Sequence, residues 1–81
     1  MQNQTTCKLQ LVQDVQLAVG KKIRQLRLSK GWSQDLFADK SGIHRAQVGA
    51  IERGEMNVTL RTLKTVADTL KVKIRDLTED V

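Results

Sequence analysis

The fourteen residues SGIHRAQVGAIERG, Ser41 to Gly54, decide the fold. Val48 and Ile51 recur at helical spacing, with Ile43 just ahead of them, so one side of this helix is apolar. The other side offers Ala46, Gly49 and Ala50, almost no side chain at all. Glycine costs a helix interior about 1 kcal/mol relative to alanine, so a bare face with a glycine in it points to a helix whose backbone must come close to something.

The preceding residues supply the other half of a motif. In QDLFADKSGIHRAQVGAIER, Gln34 to Arg53, two helices that cross steeply after a short turn need a small residue where their backbones approach, and Ala38 stands there. The turn needs a residue that tolerates positive φ, and Gly42 provides it. Val48 and Ile51 lock the second helix onto the first.

Outward from this unit the chain reads as further short helices. Asp14 is a good N-cap for a first helix running to Lys30, with Leu17, Ile23, Leu26, Val19 and Leu28 on its apolar side and Gly31 as its terminator. Ser33 caps the second helix, and the third spans about His44 to Glu52 and ends before Gly54. Thr59 caps a fourth, in which Leu60, Leu63, Val66, Ala67 and Leu70 form the core stripe and Val58 faces Leu63 in a hydrophobic staple. A last short helix covers Ile74 to Leu77. Ahead of Asp14, Cys7, Leu9 and Leu11 alternate as in a strand while Leu11, Val15 and Ala18 recur as in a helix, and periodicity does not choose between them.

Charge narrows the function. The chain carries a net +5 over 81 residues, and the 35 residues from Val19 to Arg53 hold all of it, with eight basic and three acidic side chains. The remainder is balanced. A basic region in a small helical protein suits a polyanion, because each Lys or Arg placed on a phosphate releases condensed counterions; a solvated, solubilising face is the alternative on charge alone. The single cysteine, Cys7, closes no intrachain disulfide, and the absence of a signal sequence or long apolar run leads us to expect a soluble cytoplasmic protein with no membrane partner. One histidine, one cysteine and no recognisable carboxylate pair give no ground for expecting an enzyme, a metal site or a cofactor.

The sequence resembles the lambda-repressor-like (Cro/C1-type, XRE-like) family of helix-turn-helix DNA-binding proteins. The resemblance is carried by WSQ before the second helix, SGIHRAQVGAIERG across the third and LKTVADTLKVKIRDL at the close, and runs from Lys21 to Leu77, roughly 70% of the chain. It implies an all-α, compact five-helix domain over residues 14–81, with residues 1–13 as a short N-terminal arm. It also implies that the third helix lies in the major groove of double-stranded DNA while the helix before it crosses the phosphates.

Carried over position by position, the resemblance places His44, Arg45, Ala46, Gln47, Gly49 and Ala50 toward the groove, with Arg53 at the far end. Arg45 becomes the base reader, since its planar fork matches O6 and N7 of guanine in a pairing worth about 1–3 kcal/mol of discrimination; a phosphate or solvent contact is the alternative. Gln34 becomes a phosphate donor at a helix N-terminus. His44 stands where the family usually has Ser or Thr, and either caps the helix with Gln47 returning a bond or meets a phosphate. Asn57, Thr59 and Arg61 follow as phosphate contacts in a loop where Val58 replaces the usual proline.

Three further expectations rest on the resemblance. Arg27 and Glu52 form an internal salt bridge. Asp35 and Asp39 are either solvated surface or a contact for RNA polymerase. The protein binds a palindromic operator as a homodimer, with Ile74, Leu77 and the Cys7 to Val12 segment as candidate dimer surfaces, and regulates transcription. The alternative is an antitoxin that binds DNA and masks a toxin protein.

Overall fold

The computed structural model describes residues 4–79, with side chains described from residue 13 onward. It holds five helices: α1 (Gln4–Ser29), α2 (Gln34–Ser41), α3 (Arg45–Glu52), α4 (Leu60–Leu70) and α5 (Ile74–Thr78), with no strand among the described residues. Their core is a single cluster in which Val19 and Ile23 of α1, Phe37 of α2, Val48 and Ile51 of α3, four residues of α4 and Leu77 of α5 pack together. Each such Val, Leu, Ile or Phe side chain, fully buried, contributes about 1.5–3 kcal/mol, and every helix supplies at least one of them.

The first helix departs from expectation. It does not begin at Asp14; it is continuous from Gln4, and the segment that alternates as a strand is helical. No glycine precedes Gly20 and no proline occurs, so nothing in that stretch interrupts the helix. The helix is about 39 Å long by its rise per residue, and the molecule accordingly measures 46 × 23 × 21 Å. Residues 1–3 of the expected arm, and the Cys7 to Val12 side chains offered as a dimer surface, lie outside the described residues. Two apolar assignments on α1 also change: Val19 and Ile23 are buried, but Leu17 and Leu28 are exposed.

Gly20 explains how α1 meets α3. A side chain there would collide with the main-chain carbonyl oxygens of Ile51 and Glu52. The last turn of α3 therefore sits directly on the α1 backbone, which only glycine permits.

The other helix ends follow their caps. Ser33 Oγ accepts the Leu36 N–H at 3.0 Å to start α2, and Gly42 ends it with φ 75° while its N–H donates to the Ala38 carbonyl at 2.9 Å. Thr59 Oγ1 accepts the Thr62 N–H at 3.1 Å to start α4. Leu60, counted above in the core stripe of α4, is 77% exposed, because it is the first helical residue and points away from the cluster that Leu63, Val66, Ala67 and Leu70 enter.

Candidate nucleic-acid interface

α3 is held at its C-terminal end by a buried polar network. Arg27 of α1 donates from Nε to Glu52 Oε2 at 2.6 Å and from Nη2 to Glu52 Oε1 at 3.0 Å, a bidentate pair. Its Nη1 donates to the Trp32 carbonyl at 2.7 Å. Both residues are buried, and no buried side-chain polar atom among the described residues lacks a partner. A buried charge pair offsets its desolvation only with such geometry, so this network fixes where α3 ends relative to α1 and α2.

Gln34 belongs to the same network. Its Nε2 donates one hydrogen to Glu52 Oε1 at 2.9 Å. One amide hydrogen of Gln34 is thereby engaged inside the protein. The physical reason is that Glu52 Oε1, already bonded to Arg27, still has a lone pair to satisfy inside the protein.

The N-terminal end of α3 is open by comparison. His44 is its N-cap, with Nδ1 accepting the Ala46 N–H at 3.4 Å. A return bond from the Gln47 side chain is not found among the described residues, so the cap is one-sided. His44, Arg45 and Ala46 are exposed, Gln47 and Ala50 are half-buried, and Val48 and Ile51 face the core.

Gly49 is buried, although it lies on the outward stripe. What covers it is the pair of arginines one turn before and one turn after. From the point where a Cβ would stand, Arg45 Nη1 is 3.2 Å away and Arg53 Nη1 is 3.0 Å away. The bare position is a floor on which two guanidinium groups converge.

Each of these arginines also has a carboxylate partner. Arg45 Nε pairs with Asp35 Oδ1 of α2 at 2.9 Å, and Arg53 Nε pairs with Glu55 Oε2 at 3.0 Å. Asp35 is paired although its side chain is 84% exposed, and Asp39 is exposed as well. Glu55 went unremarked in the sequence; its place two residues after Arg53, just beyond the turn at Gly54, was the available signal. The hydrogen bond from Arg53 holds the Glu55 carboxyl below the ordinary glutamate range. The same hydrogen bond, followed by the charge of Glu55, raises the Arg53 guanidinium above its usual value.

The flanking positions are placed as follows. Asn57 and Arg61 are exposed on the loop after α3 and on the first turn of α4. Thr59 is occupied in capping α4, its hydroxyl also donating to Thr62 Oγ1 at 3.1 Å. Leu77 of α5, offered above as a dimer surface, is buried in the core and unavailable for one, while Ile74 is half-buried.

Two helices joined by a three-residue turn, the second locked by its apolar face and its buried glutamate and presenting a small-residue, arginine-flanked face outward, define a helix-turn-helix DNA-binding module. The helix-turn-helix family model matches residues 23–77, and the chain belongs to that family. It is 37% identical over 68 residues to control protein C.BamHI of Bacillus amyloliquefaciens, covering 83% of this chain and 84% of that protein. It is 36% identical over 64 residues to control protein C.SmaI of Serratia marcescens, covering 79% and 76%. Among solved structures, the restriction-modification controller protein C.AhdI from Aeromonas hydrophila superposes with a TM-score of 0.73 at 39% identity, covering 75% of this chain and 92% of that one. The regulator SinR of Bacillus subtilis is 30% identical over 63 residues, covering 76% of this chain and 57% of SinR.

Proposed function

We propose that this helix-turn-helix transcriptional regulator binds an inverted-repeat operator as a symmetric dimer, with α3 in the major groove of each half-site. The observation that carries the reading is the outward face of α3: small residues at 46, 49 and 50 keep it low, Ala46 is exposed, and the guanidinium groups of Arg45 and Arg53 converge over Gly49 from its two ends. Arg45, at the N-terminal end, reads guanine, and Ala46 and Ala50 meet apolar groups such as a thymine methyl. Arg53, Asn57 and Arg61 contact phosphates, and His44 caps the helix that carries the reader. Half-sites one helical turn apart, about 34 Å, match two such helices related by a two-fold axis.

Several features support the dimer. An 81-residue chain buries a modest fraction of its surface alone. Val15 and Leu17 of α1 and Leu60 of α4 are exposed apolar side chains that a second copy would cover. Such a regulator acts in the cytoplasm on the nucleoid. No helix among the described residues is long and apolar enough to cross a membrane. The toxin-masking alternative has no support in the relatives described above, which are control proteins and transcriptional regulators.

The match to control proteins over most of both chains favours a controller of restriction-modification genes as the physiological role. Selection of bound duplexes from a random pool tests the reading directly: an enriched inverted repeat is expected, with half-sites about one turn apart and affinity that falls steeply with salt. A flat salt response with no enriched repeat defeats it. The controller role predicts that the selected repeat stands upstream of a restriction or modification gene in the source genome.

A further inference from the structure

We propose that Asp35 is a positioning residue that holds Arg45 for end-on reading of guanine while suppressing binding to DNA of other sequence. The proposal rests on the functional reading above and goes beyond it by naming what aims the reading arginine.

The guanidinium of Arg45 is seated on two sides. Asp35, reaching from α2, stands in an ion pair with it, Oδ1 2.9 Å from Nε. Gly49, one turn along α3, leaves open the space that Nη1 occupies; a Cβ there would stand 3.2 Å from it. A guanidinium has five N–H donors in a rigid plane, and Asp35 lies beside its Nε edge. The two terminal nitrogens still carry a pair of parallel donors, which is the geometry that guanine O6 and N7 accept. Asp35 therefore spares the reading edge and restricts the swing of a long side chain that is otherwise free in solvent.

The same carboxylate has a second effect. Asp35 is a negative charge at the N-terminal end of α2, the helix that crosses the DNA backbone in this class of module. It repels phosphates whatever the base sequence. On a correct site the Arg45–guanine bonds offset that repulsion, and on other sites nothing does. Discrimination is then a difference between two affinities, sharpened by lowering the wrong one.

The test uses the full chain and four duplexes that differ only at the base pair read by Arg45, compared at fixed salt for the wild type, Asp35→Asn, Asp35→Glu, Arg45→Ala and the double variant Asp35→Asn/Arg45→Ala. Thermal unfolding confirms that each variant is folded. The wild type is expected to prefer guanine by about tenfold or more. Asp35→Asn is expected to lose about two- to fivefold of that preference, the range of an exposed ion pair, while its affinity for mixed-sequence DNA rises. Asp35→Glu keeps a carboxylate and retains the preference. In the Arg45→Ala background, removing Asp35 changes affinity equally for all four duplexes. An Asn variant with undiminished guanine preference, or a Glu variant that loses as much as Asn, overturns the positioning role and leaves the regulator reading intact. A wild type indifferent to all four duplexes and to any selected repeat overturns both.

Discussion

Arg27 and Glu52 meet at 2.6 Å in the interior, twenty-five residues apart in the chain, and the contact ties the last residue of α3 to the middle of the bundle. The opposite end of α3 has only a one-sided histidine cap and an exposed ion pair. The helix is thus anchored at its C-terminal end and open at its N-terminal end, where Arg45, the proposed base reader, stands.

Breaking the anchor is expected to be severe. Glu52→Ala leaves a buried guanidinium and the Gln34 amide without their acceptor, and loss of one partner of a buried pair costs about 3–5 kcal/mol. Urea unfolding should show a loss of that size, a large fraction of the about 5–15 kcal/mol that holds a typical domain together. Replacing Arg27 and Glu52 together by Met and Leu should cost less than the sum of the two single changes, as a double-mutant cycle would register.

Gly20→Ala tests the seat of α3 on α1. An exposed helical glycine gains about 1 kcal/mol on becoming alanine. Here the added methyl meets main-chain oxygens that cannot swing aside, and overpacking of this kind costs typically about 1–3 kcal/mol. A lower midpoint in urea is expected, with far-UV circular dichroism unchanged at zero denaturant; a higher midpoint would mean that the two helices have room to part.

Gly49→Ala should behave in the opposite way. The atoms nearest its Cβ are the ends of two flexible arginines, which give way readily, so the helix gains up to about 1 kcal/mol of propensity. The displaced guanidinium groups are the ones proposed above to contact DNA. Stability is expected to hold or rise while affinity for the selected operator falls, and calorimetry beside a binding titration separates the two effects.

Glu55→Gln releases Arg53. Affinity should increase alike for all sequences, and the slope of log affinity against log salt should steepen, since a phosphate contact no longer competes with a carboxylate. Because the Glu55 carboxyl is held below the ordinary glutamate range, it stays ionised as the pH falls, and the difference between wild type and variant should persist down to pH 4.5. The sign follows from the depressed value: the pairing is present above the ordinary glutamate value and is lost only as pH falls through the lowered one. Fluorescence anisotropy with a mixed-sequence duplex reads both effects.

Much of this was legible in the sequence because it depends on local rules. Caps at Ser33 and Thr59, the turn at Gly42 and the apolar pair Val48 and Ile51 are each decided within a few residues, and the chain folds as they indicate. The start of α1 was not legible, since Asp14 looks like a cap wherever it occurs and only the uninterrupted backbone before it shows that it is not one. Nor was the end of α4, where Lys71 adopts φ 59° with no glycine to announce it. Exposure of Leu60 and burial of Leu77 follow from the rotation of each helix about its axis, which periodicity alone fixes loosely in short helices.

Side-chain partnerships at the site were harder still. Gln34 reads as a helix N-terminal donor, and nothing within ten residues says that Glu52 will claim it. Asp35 and Arg45 lie on different helices, and their pairing depends on the crossing angle that Ala38 and Gly42 only permit. Gly20 carried a signal that could have been read: a glycine in the interior of a helix asks what approaches it.

The one-sided anchorage of α3 has a consequence for how such a protein can change. The features that hold the helix, Gly20, Arg27, Gln34 and Glu52, sit at its far end or in other helices, apart from the residues proposed above to read bases. The exposed positions 44 to 46 add little to the core. On the proposed reading, new residues at 45 and 46, with a capping residue kept at 44, redirect the protein to another DNA sequence with little penalty in folding, so that choice of target and integrity of the fold are free to vary independently.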